Sequence, residues 1–161
     1  MPAEDSAARS EESDNERLTR NINELLQELR VLQAGVQFLF GFLLAVAFTE
    51  PYARASTAEH VVHLIAVIFA TSAVALLSAP AAWHRVLFHR GERRVIIEAA
   101  NRLSIAGMVC LAVATVATVL LLTTEVVGGW VAIVITTLAG ILFATLWFVL
   151  PLLRRMHDSD H

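Results

Sequence analysis

Four stretches of the chain hold no Asp, Glu, Lys or Arg: 31–49, 60–84, 103–124 and 126–153. Each is dominated by apolar side chains. Each is also about as long as the roughly 20 residues a helix needs to cross a ~30 Å hydrocarbon core. An element of a soluble domain keeps a wet face and so interleaves charge along its length. These stretches do not. The pattern predicts an all-α, polytopic membrane protein with four transmembrane helices, over about 31–49, 60–82, 103–124 and 130–152, within a membrane domain of residues 31–153.

A different pattern precedes the first span. Residues 1–13 are small, polar and acidic, with nothing to bury, and read as a disordered tail. Ser13 and Glu16 have capping-box spacing, which starts a helix near Asp14. Leu18, Ile22, Leu25 and Leu29 then recur at helical intervals among Arg, Asn, Gln and Glu. This predicts an amphipathic helix over 14–30. It either runs straight into the first span or bends near Ala34-Gly35 to lie on the membrane.

Local signals set the other boundaries. Glu50-Pro51 closes the first span, because Pro stops a helix. The second span ends between Pro80 and His84, and an Arg-rich loop follows over 85–102. Its second half carries Arg94, Glu98 and Arg102 at i+4 steps, which leads it helically into the third span. Gly128-Gly129 breaks the chain before Trp130 opens the fourth span, which ends at Pro151. Residues 154–161 form a short tail.

Composition changes this picture little; charge placement changes it more. The chain is 57 % hydrophobic, and its net charge of −3 averages segments of opposite sign. All twelve basic residues are Arg, and only Arg54 falls between the first and second spans. The other eleven share the opposite side, and basic flanks stay cytoplasmic. The expectation is a multi-pass protein of a bacterial inner (plasma) membrane with both termini cytoplasmic. Its amphipathic helix and tail then face the cytoplasm, and its Arg-rich loop meets anionic lipid headgroups. Nothing points to nucleic acid. Cys110 is the only cysteine and lies mid-span, where a thiol acts as a small hydrophobe.

Candidate chemistry is sparse. Asn23, Gln27, Arg30, Gln33 and Gln37 follow one another at steps of three or four. On one helix they form either a polar track entering the bilayer or amide glue between helices. Small residues recur every fourth position as Ala106, Cys110, Ala114 and Thr118 in span three, and as Ala132, Thr136, Gly140 and Ala144 in span four. Such faces let helix backbones approach closely, so Ala106, Ala114, Gly140 and Ala144 are helix-packing candidates. His60 and His63, beside Glu59, could hold one ion between them, but no third or fourth ligand follows at a usual spacing. His84 and Arg85, next to Trp83, suit the headgroup zone. Glu24 and Glu28 form a solvated acidic strip or dock on the Arg-rich loop. No hydrolase, phosphate-loop or metalloprotease motif is present, so no enzyme, no cofactor and no metal site is expected.

The run N-E-L-L-Q-E-L-R-V-L-Q-A-G-V-Q (Asn23 to Gln37), followed by F-x-F-G-F-L-L, resembles the signature of an uncharacterised bacterial family of small four-span membrane proteins. The stretch S-A-P-A-A-W-H-R-V-L-F (Ser78 to Phe88) is similar to that family's A-P-x-x-x-H-R-x-x-F block. The resemblance covers roughly residues 16–150 and implies a four-span fold. Some members carry an automatic sodium:proton antiporter label, which would imply cation and proton transport. An antiporter needs a group that exchanges a proton for a cation, and the four spans hold no carboxylate. The sequence therefore favours a non-catalytic accessory or interaction protein, with a small cation/proton transporter or channel as the alternative. A second copy of the chain and another membrane protein are the partners open to it.

Overall fold

The computed structural model describes Arg20, Glu24, residues 27–87 and residues 93–158, without the side chains of 84–87, 93–98, 155, 157 and 158. The acidic tail 1–13, Asn23 and the side chains of His84, Arg85, Arg94 and Glu98 thus lie outside the described residues. Every element among the described residues is helical. In chain order these are α1 (Gln27–Val46), α2 (Glu50–Ala53), α3 (Thr57–Leu87), α4 (Arg93–Val126) and α5 (Gly129–Ala144). From α5 the helix passes through a π turn (Thr145–Val149) into α6 (Leu150–Asp158). Among the described residues four helical segments are long and apolar enough to cross a membrane: Gln27–Val46, Thr57–Trp83, Ala99–Val126 and Gly129–Arg154. The fold is an all-α, four-span membrane architecture.

Two boundaries differ from the sequence reading, each for a physical reason. The first span stops at Val46, before Pro51, which sits in the first turn of α2. Proline lacks only an N–H that a first turn leaves unbonded, so here it starts a helix. The second span ends at Trp83, between Pro80 and His84 as expected, although its helix continues through Pro80 to Leu87, and the fourth runs past Pro151. Within hydrocarbon, helix ends expose polar groups that no water can satisfy, so an interior proline is bridged. At Pro151 the bridge is the π turn: its ring would crowd the carbonyl four residues back. The Leu150 N–H instead reaches the Thr145 carbonyl five residues back.

Two further points concern the ends of the spans. The helix runs unbroken through Ala34-Gly35, so residues from Gln27 onward enter the first span directly. Most of the expected 85–102 loop is helix, shared between α3 and α4. The 34 residues of α4 extend about 51 Å, well beyond a ~30 Å core, and its Arg-bearing first turns project from the bilayer zone. The turn before α5 is made by Gly128 and Gly129, both at positive φ (67° and 57°), where a Cβ would be strained.

The core lies between α1, α3 and α4. Buried positions alternate at three- and four-residue steps on α3 (His63, Ala66, Ala70, Ala73, Leu77, Pro80) and on α4 (Ala100, Ser104, Gly107, Leu111, Ala114, Thr118). On α1 the buried residues Leu29, Val36 and Leu43 are seven apart. This spacing is that of knobs-into-holes packing at a shallow left-handed crossing. Lipid offers no hydrophobic drive between helices, so the small residues matter: they allow close backbones and dense dispersion contact. Leu29, Val36, Ala73, Leu77 and Leu111 form one cluster, and Leu43, Ala66, Ala70 and Ala114 the other.

Candidate functional site

The expected polar line on α1 divides. Gln33 is half-buried, and its Nε2 donates to the Leu77 carbonyl of α3 at 2.8 Å. Leu77 lies three residues before Pro80, in the turn where the proline ring interrupts the helix ladder. The carbonyl that Pro80 leaves without a ladder donor is that of Leu76, four residues back, and the Gln33 amide bonds the carbonyl next to it. Gln37, Gln27 and Arg30 are exposed, as are Glu24 and Glu28. Gln33 thus bonds across two helices, as the glue reading expects, while the other described members of the line are exposed.

Leu77 is held from a second direction. Its side chain is fully buried and faces Gly107 of α4. A Cβ built on Gly107 would lie 2.8 Å from Leu77 Cγ and Cδ2 and 3.3 Å from Leu76 Cβ. Only glycine fits there. Carbonyl and side chain of one residue thus tie α1, α3 and α4 together at a single level. The remaining hydroxyls mostly satisfy themselves: Ser104 donates to Ala100 O at 2.7 Å and Thr118 to Ala114 O at 2.7 Å.

At the end of the bundle where α1 meets α2, Tyr52 of α2 packs edge-on against both His60 and His63, with ring centroids 4.5 Å and 4.7 Å away. His63 is only 3 % exposed; its ring bonds the Leu43 backbone carbonyl, and Nδ1 has no partner. His60 Nδ1 lies 3.0 Å from the Ser56 carbonyl. The two rings therefore face tyrosine and backbone. Among the described residues no three His, Cys, Asp or Glu gather as a metal would require. Ser56 and Glu59 form a reciprocal capping box at the start of α3 (Ser56 N to Glu59 Oε2 2.6 Å, Glu59 N to Ser56 Oγ 3.3 Å). Glu50, which pairs with Arg54, lines an open pocket of about 310 Å³ with Glu59 and Glu125.

Among the helix-packing candidates, Ala114 is fully buried and Ala106 half-buried. Gly140 and Ala144 differ from expectation. A Cβ at Gly140 would meet nothing within 4 Å, and Ala144 is exposed. Among the described residues of α5 only Ala132 is buried. Gly140 and Ala144 instead edge an apolar groove of about 460 Å³ between α3, α4 and α5. Val62 and Ile65 form one wall, α4 from Val109 to Leu120 the floor, and the stretch from Thr136 to Phe148 the other wall. Trp147 turns the other way, into the Leu77 cluster, with its ring 5.0 Å from Phe143.

Sequence reasoning missed Gly107, the Leu77 carbonyl, the capping box and the groove. The S-T-A-E run at Ser56 was a readable signal for the capping box. Gly107 was readable as the glycine on a three-four seam. The other two depend on contacts between distant segments. A family model described as "Family of unknown function (DUF6328)" matches residues 11–151, and the chain belongs to that family. No curated protein and no solved structure matched the chain.

Proposed function

We propose that this member of the DUF6328 family is a non-catalytic accessory protein of a bacterial plasma membrane, acting by interaction, with both termini cytoplasmic. The observation that carries this reading is the bond of Gln33 to the α3 backbone, which engages the most deeply placed amide of the polar line in helix packing. The four uncharged stretches are free of Asp, Glu, Lys and Arg, so no carboxylate lies there to exchange a proton for a cation. Surfaces for interaction are plentiful: the Arg-bearing start of α4 for anionic headgroups, and exposed apolar faces on α1 and α5 for a membrane partner or a second copy.

The test is flux. Purified protein in liposomes, with sodium and pH gradients imposed separately, is expected to move neither ion above the protein-free rate. Sodium-driven alkalinisation that disappears in a Gln33→Leu/Gln37→Leu double variant would overturn the reading. It would establish the transporter alternative. Reporter fusions at His161 and within 54–57 check the orientation: alkaline phosphatase activity from the tail would reverse it.

A further inference from the structure

We propose that the groove between α3, α4 and α5 is a binding site for one acyl chain of an anionic phospholipid, whose headgroup rests on arginines at one end. The volume, about 460 Å³, lies within the roughly 300–1,000 Å³ of ordinary ligand sites. From Thr136 to Phe148 the groove follows twelve residues of helix, about 18 Å, more than half of a ~30 Å core. Among the described residues no charged side chain lines it, and Thr136 is the one polar wall residue. Its length and apolar lining suit an alkyl chain.

Charge decides which amphiphile. Arg102 lies seven residues, or two turns and about 10 Å, before Val109 on the same face of α4, and it is exposed. Exposed Arg154 and its neighbour Arg155 follow Phe148 on α6, at the same end of the bundle. The carboxylates Glu50, Glu59 and Glu125 gather at the opposite end. A chain seated in the groove thus brings its headgroup to the arginines, where each cation contributes about 1 kcal/mol toward an anionic lipid. A second copy fits less well. Symmetric pairing across this groove, about an axis along the membrane normal, would bring the two arginine ends together. The proposal is independent of whether the protein moves ions, so it stands or falls apart from the flux result.

Bromine on an acyl chain quenches nearby tryptophan, and Trp147 touches the groove wall through Phe143. In a Trp83→Phe/Trp130→Phe background in uncharged detergent, Trp147 alone reports. Brominated phosphatidylglycerol should quench it at a concentration about tenfold or more below that needed for phosphatidylcholine with the same chains. Gly140→Phe should abolish quenching by both lipids. Ala144→Phe, at an exposed wall position, should do the same if the first variant folds poorly. Arg102→Gln/Arg154→Gln/Arg155→Gln should bring phosphatidylglycerol to the phosphatidylcholine level. Equal quenching by the two lipids overturns the proposal. So does quenching that survives both phenylalanine variants, or a dimer that Gly140→Phe dissociates without any lipid preference.

Discussion

The first three spans and the fourth are built from the same kinds of residue and pack in opposite ways. Between α1, α3 and α4, buried positions follow a three-four seam, Gly107 receives Leu77, and Gln33 bonds the Leu77 carbonyl. The fourth span buries only Ala132 along α5 and reaches the Leu77 cluster through Trp147, within its π turn. Its small residues are as regular as those of α4, yet Gly140 opens onto a groove. A small-residue stripe is thus permissive. It becomes a contact only where a partner helix brings a side chain to fill it, as Leu77 does.

The largest expected effect of breaking this contrast is at Leu77. Leu77→Ala empties the most constrained point of the core and should destabilise the protein by about 2–5 kcal/mol. Reversible unfolding in a mixed micelle would measure it. Truncation of Leu138, an exposed α5 residue, gives the comparison and should cost little.

A smaller effect tests the cross-helix bond. Gln33→Leu removes the donor to the Leu77 carbonyl and should cost about 0.6–2 kcal/mol, by the same unfolding measurement. Gln37→Leu, one turn along but exposed, should change stability by much less. Equal losses from the two would mean that the amides act on helix insertion and that their packing is irrelevant.

The existence and order of the spans were legible because charge is excluded from hydrocarbon whatever the tertiary detail. Their ends were less so. Pro51 and Pro151 read as stops, a rule for chains whose freed carbonyls find water. Here the helix continues past an interior proline, through Pro80 in α3 and past Pro151 after a π turn in which the Leu150 N–H reaches the Thr145 carbonyl. The packing face of α4 was half legible. A fixed i+4 row through Ala106, Cys110, Ala114 and Thr118 drifts around the helix, whereas a shallow crossing alternates three and four. That row met the true seam at Ala114 and Thr118 and passed beside Gly107. Gln33 as glue was one of two readings of the polar line, and its acceptor, 44 residues away, was visible only in the fold. The burial of His63 against Leu43 and Tyr52 depends on the same kind of distant contact.

One paired substitution addresses the contrast most directly. Gly107→Ala and Gly140→Ala make the same chemical change in mid-helix, and both gain the same modest helix propensity. At 107 the new methyl meets the fully buried Leu77 side chain at 2.8 Å, which must shift within the core. At 140 it meets nothing within 4 Å. Unfolding free energies in one detergent should therefore show Gly107→Ala destabilised by about 1–3 kcal/mol and Gly140→Ala unchanged or slightly more stable. Equal destabilisation at both sites, or a loss confined to Gly140→Ala, would contradict the account of three locked helices and one open one.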